Sequence, residues 1–193
     1  MKKTEIIFLL DETKRKLFTA GDLKKLLKIA KDNTLYKTTE GLIKDKVLIR
    51  LSKGKYFYRA TKPHDFEIAN FIYSPSYISF ESALNFYNIL IQTPYCVTSA
   101  TPLRNTVILA NNREYIYTHI NPQIYFGYKK ENTFLIAAPE KALVDLMYLA
   151  SKGLKKIDIK ELDLSQIDKK EFYFIVERIS NKLLTNFVKK FIK

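Results

Sequence analysis

The chain has 193 residues, 47% of them hydrophobic and 27% charged, with a formal net charge of +13; this is the composition of a packed, folded protein and excludes a disordered one. A single cysteine, Cys96, excludes an internal disulfide and a cysteine zinc site, and no apolar run approaches the ~20 residues of a membrane span. Residues 1–62 hold 17 Lys and Arg against 7 Asp and Glu, a net +10, whereas residues 63–193 hold 16 against 13, a net +3, so the first third reads as an electrostatic footprint for phosphates rather than as general surface lysine.

The opening MKKTEIIFLLDE has an apolar run of only IIFLL, stopped by Asp11 and Glu12, with no small-residue cleavage site behind it. A cytoplasmic protein is expected. A first helix is predicted over residues 4–16, with Ile6, Ile7, Leu9 and Leu10 available for burial and Lys14, Arg15 and Lys16 at its cationic end. Thr19 followed by Asp22 marks the start of a second helix near Ala20, with Phe18 stapling to Leu23. Leu23, Leu26, Leu27 and Ile29 form its buried side. A third helix spans Asn33 to Val47: Leu35, Thr39, Leu42, Ile43 and Val47 fall on one face, and Asn33, Thr34, Lys37, Thr38, Gly41 and Lys44 on the other. LIRLS and KYFYR then alternate around Lys53-Gly54, which predicts a hairpin. Three helices and a basic hairpin in this order are the plan of a winged helix-turn-helix. Asn33, Thr34, Lys37, Thr38 and Lys44 are the candidate DNA-facing residues of the helix. Arg50, Lys53 and Lys55 are those of the wing, where phosphate contact is the expected role. The Tyr36 ring either packs beneath the helix or lies along the DNA backbone.

Lys62-Pro63-His64 is read as a boundary, giving domains at 1–62 and 65–193. Residues 65–73 form a short helix, Ser74-Pro75-Ser76 breaks it, and Ser79 is read as the cap of the helix FESALNFYNIL, with Glu81 in its first turn. TPYCVTSAT, NTVILA, REYIYTHI, QIYFGY and NTFLIAA are β-rich segments separated by turns, predicting a mainly antiparallel sheet. Pro139 starts a helix that runs to Ala150 and stops near Gly153, with Ala142, Leu143, Leu146, Met147 and Leu149 on its buried side. An amphipathic helix from about Lys170 to Lys193 closes the chain, with a stripe of Phe172, Ile175, Val176, Ile179, Leu183, Phe187, Val188 and Phe191. The fold class expected is α+β: a winged helix-turn-helix followed by a mixed α/β domain.

Catalytic signatures are missing: there is no phosphate loop, dinucleotide glycine pattern or HExxH, and only His64 and His119 supply imidazoles. His119 is expected to be a hydrogen-bonded sheet residue. Lys141 and Asp145 read most simply as an i, i+4 pair, with Glu140 compensating the helix dipole. No enzyme activity, cofactor or metal is expected.

The succession KTTEGLIKDKVLIRLSKGKYFYR, YISFESALNFYNIL, HINPQIYFGYKK and IAAPEKALVDLMYLASKG resembles the AbiEi family, the antitoxins of type IV (abortive-infection) toxin–antitoxin systems. The resemblance covers about residues 5–155. It implies an N-terminal winged helix that represses its operon at promoter repeats in double-stranded DNA. It also implies a C-terminal domain that counteracts a nucleotidyltransferase-like toxin without a stable complex. Ser79, Glu81, Ser82, Pro139, Glu140, Lys141, Asp145 and Leu146 match the family's motifs, and Glu140, Lys141 and Asp145 are the polar groups the 139–150 helix could present. Two other readings stand beside it: a nuclease-like enzyme delivered by the winged helix, and a stand-alone regulator whose second domain dimerises or senses a ligand.

Overall fold

The structure, a computed structural model, describes residues 2–191 apart from the side chain of Ile159. It is α+β, with a three-stranded antiparallel sheet among the first helices and a six-stranded mixed sheet beyond them. Helix α1 (Lys3–Glu12) buries Ile6 and Leu10. It ends before the cationic run expected in its last turn, because Lys14 turns the chain with φ 54° and residues 17–19 become a strand, β1 (Leu17–Thr19), that sequence pattern did not predict. Helix α2 (Ala20–Leu26) starts where expected, with Thr19 and Asp22 forming a reciprocal capping box. After a short turn comes α3 (Asp32–Lys44), burying Leu35, Thr39 and Leu42. The hairpin of β2 (Leu48–Ser52) and β3 (Lys55–Tyr58) turns at Lys53-Gly54, where Gly54 has φ 70°. The order in this sheet is β1-β3-β2, every pairing antiparallel.

The predicted boundary at residue 62 is not a break in packing. One core holds Ile6, Leu10, Phe18, Leu23, Leu35, Leu42, Leu48, Tyr56 and Tyr58, but Leu51 and Phe57 of the same hairpin belong to the second core, with residues 68–188. Side chains alternate across a strand, so β2 and β3 give residues to both cores.

Helix α4 (Asp65–Ile72), capped by His64 with Glu67 returning the bond, leads to β4 (Tyr77–Ile78) and α5 (Phe80–Phe86). Strands β5 (Val97–Thr101), β6 (Thr106–Ala110), β7 (Arg113–His119), β8 (Tyr128–Glu131) and β9 (Phe134–Ala137) complete a sheet ordered β6-β7-β5-β4-β9-β8. Its pairings β6–β7, β4–β5 and β8–β9 are antiparallel, while β5–β7 and β4–β9 are parallel. QIYFGY is not a strand: a 3-10 turn occupies Pro122–Ile124, and β8 begins only at Tyr128. Tyr115 and Tyr117 reach α4 on one side of the sheet, bonding Asp65 at 3.3 Å and the Ala69 carbonyl at 2.7 Å. His119 ends β7, its ring Nδ1 2.7 Å from the Leu103 carbonyl.

Helix α6 (Pro139–Ser151) is buried on all sides, not on one: every residue from Glu140 to Leu149 is buried. The predicted terminal helix is two, α7 (Lys169–Ile179) and α8 (Lys182–Phe191), divided where Ser180 takes φ 51°; its last two residues lie outside those described. The break splits the stripe. Phe172, Ile175, Val176, Leu184 and Val188 are buried, whereas Leu183 is 56% exposed. Among the described residues no helix is long and apolar enough to cross a membrane.

Candidate nucleic-acid interface

The outward face of α3 is available. Asn33, Thr34, Lys37, Gly41 and Lys44 are exposed and Thr38 is half-buried. Tyr36 points outward as well, 62% exposed, which excludes packing beneath the helix. Both acids of α3 are engaged elsewhere. Asp32 pairs with Lys24 and Glu40 with Arg50. Lys37 and Lys44 have no ion-pair partner among the described residues. The face is therefore cationic and hydrogen-bonding without a competing carboxylate, the chemistry that suits phosphate and base edges.

The hairpin stands beside this face, because the Arg50–Glu40 pair joins β2 to α3. Arg50 remains exposed, and Lys53 is exposed at the turn. Lys55 is different from expectation. Its ammonium donates to the Phe71 carbonyl at 2.8 Å and the Ile72 carbonyl at 3.1 Å, the free carbonyl end of α4, where a cation is favoured. Burial pushes the Lys55 ammonium below its ordinary value. It clasps the two halves of the chain together instead of standing free on the hairpin. A second clasp joins Lys16 to Glu67 at 3.0 Å.

The motif residues of the second half converge inside the protein. Lys141 and Asp145 are fully buried and ion-paired to each other. Asp145 also accepts hydrogen bonds from the Tyr77 hydroxyl at 2.9 Å and the Ser79 hydroxyl at 2.8 Å, and Lys141 donates to Tyr77 at 3.0 Å. Burial, and then the Asp145 carboxylate, push the Tyr77 hydroxyl well above its ordinary value, so it keeps its proton and donates. The rings of Phe126 and Tyr77 stand 5.3 Å and 5.5 Å from the Lys141 ammonium. Gly127 passes so close that a Cβ there would lie 2.9 Å from Lys141 Cγ, and its φ is +73°. Ser79 stands at the N-cap position of α5, but its side chain makes no capping bond, because its hydroxyl serves Asp145. Phe80 follows at φ 55°, a left-handed backbone rare for a bulky residue.

The remaining motif residues are also fasteners. Ser82 exchanges bonds with Thr98: the Thr98 N–H donates to the Ser82 hydroxyl at 2.8 Å, and the Ser82 N–H donates to the Thr98 hydroxyl at 3.1 Å. Glu140 accepts the Asp168 N–H at 3.1 Å, at the cap of α7. Glu81 pairs with Lys155. The expectation that Glu140, Lys141 and Asp145 are presented on a surface is thus overturned, since the helix that carries them has neighbours on every side. Sequence reasoning missed Tyr77 and Gly127. The glycine in IYFGYKK was the available signal, because a lone glycine in an aromatic run marks a close approach of chains. No protein-family model matches this chain, and no curated protein does.

Proposed function

We propose that this protein is a DNA-binding transcriptional regulator whose segment from α1 to β3 acts as a winged helix-turn-helix, and that it is an AbiEi-type antitoxin of a type IV toxin–antitoxin system. The observation that carries the DNA-binding part is the face of α3: exposed, with Lys37 and Lys44 unpaired among the described residues and both carboxylates of the helix engaged by other cations. The sheet order β1-β3-β2 beside a pair of helices joined by a short turn supports the winged-helix reading. Residues 1–62 carry the charge, which supports phosphates as the ligand. The antitoxin part rests on the motif resemblance. The buried network gives those motifs a shared role in holding the second half together, and the toxin-opposing surface lies on the scaffold they build.

The test is titration of the full chain against duplex DNA over a series of salt concentrations, with Lys37→Ala and Lys53→Ala beside the parent. Affinity should fall steeply with salt, and the Lys53 variant should weaken all sequences alike and reduce the salt slope by about 1. The Lys37 variant should lose sequence preference by about 1 to 3 kcal/mol. Salt-independent binding would sink the reading. Co-expression with a nucleotidyltransferase-like toxin tests the antitoxin part, which requires rescue of growth.

A further inference from the structure

Gly41 lies inside α3 with helical residues on both sides, and its φ is not positive. A Cβ built there meets no atom within 4 Å beyond its chain neighbours and the backbone of its own helix. Nothing in the fold asks for this glycine. Gly54 and Gly127 have positive φ, and Gly127 is also pressed against Lys141, whereas Gly41 has ordinary helical backbone and open space. Glycine inside a helix is nonetheless less favourable than alanine, because it has more chain freedom to lose on folding. The missing methyl group leaves bare helix backbone at an exposed position. Lys37, one turn before it, and Lys44, one turn after it, stand on the same side of the helix, both exposed and neither ion-paired among the described residues.

We propose that Gly41 is a positioning residue for duplex DNA: the bare helix backbone at Gly41 seats against the duplex, which brings the Lys37 and Lys44 ammonium groups to phosphates on either side. This inference rests on the DNA-binding reading above and adds to it the depth at which α3 sits. A methyl group at position 41 fills the dent between the two lysines. It holds the helix off the duplex and lengthens both charge-assisted contacts, whose strength depends on short distance. The fold itself gains from the same change, so stability and binding move in opposite directions. No purely structural role for Gly41 produces that pair of results.

The experiment uses the full chain as the parent and as Gly41→Ala. The probe is the duplex that the parent protein enriches from a random-sequence library, and the readouts are thermal unfolding without DNA and affinity for that duplex. Gly41→Ala should unfold about 2 to 4 °C higher and bind about tenfold more weakly, the size of one lost contact. Equal or tighter binding by the variant overturns the proposal while leaving the DNA-binding reading intact. A lower unfolding temperature overturns it too, since the glycine would then serve the fold. If the parent enriches and binds no duplex, both readings fall together.

Discussion

Lys141 and Asp145 show what a single pair of side chains can decide in a closed interior. Two charges removed from water are tolerated because each finds the other and because Tyr77 and Ser79 occupy the remaining carboxylate lone pairs. Breaking such a pair is worse than never having it. Lys141→Met should cost about 3 to 5 kcal/mol in denaturant unfolding, because Asp145 is left buried and uncompensated. The double replacement Lys141→Met with Asp145→Leu should recover much of that loss. A double variant no more stable than the single one would show that the charges are needed together for the fold. The sequence spacing made the pair legible as an i, i+4 contact on α6, but not its burial. Pattern reading leaves a helix one exposed polar side, and α6 has none, because Tyr77, Ser79 and the Phe126-Gly127 segment close over Lys141 and Asp145.

At the scale of elements, local chemistry was readable wherever a side chain fixes its own neighbourhood. The Thr19–Asp22 box, the glycine turn of β2–β3 and the proline start of α6 are all set within a few residues. Strand β1 was not readable. Leu17–Thr19 is too short to show alternation, and its partner β3 lies far along the chain. The same holds for the parallel pairings β5–β7 and β4–β9, which depend on distant segments meeting. On α3 the candidate face was legible from helical spacing, whereas the diversion of Lys55 to the end of α4 was not, since it depends on where a later helix stops.

Glu67 brings a pH dependence to that junction. Burial alone would raise its pKa, but the Thr133 side chain, the His64 N–H and the Lys16 ammonium outweigh this and hold the carboxyl below its ordinary 4.5. A carboxylate with a depressed folded pKa contributes stability that is present above the unfolded value and lost as pH falls through the folded one. Acidification from about pH 5 downward should therefore weaken the junction. Glu67→Gln should flatten that part of the stability profile, measured by thermal unfolding at a series of pH values. An unchanged profile would mean that the Lys16–Glu67 pair adds nothing to folding.

For the molecule as a whole, the uneven charge and the shared hairpin pull in different directions. The charge suggests a detachable cationic head at residues 1–62, but Leu51 and Phe57 of that head are buried in the second core, and Lys55 and Lys16 are fastened to α4 and Glu67. A fragment ending at Lys62 exposes both apolar side chains, each worth about 1.5 to 3 kcal/mol of burial. It should unfold at lower denaturant than the full chain and associate on concentration, by sedimentation; a monomeric fragment as stable as the parent would show that the second core adds nothing to the first. DNA binding should accordingly be measured on the full chain.

The two-sided hairpin also bears on descent. A strand pair that must fit two interiors at once cannot drift on one side without answering to the other, so changes at Leu51 and Phe57 should be matched by changes around Ile68 and Ile72 rather than by changes in α3. Exchange of the first 62 residues by recombination at the Lys62-Pro63 seam would then yield misfitted hybrids. On the proposed DNA-binding reading, new sequence preferences would arise through substitution on the outer face of α3, whose exposed side chains belong to neither core.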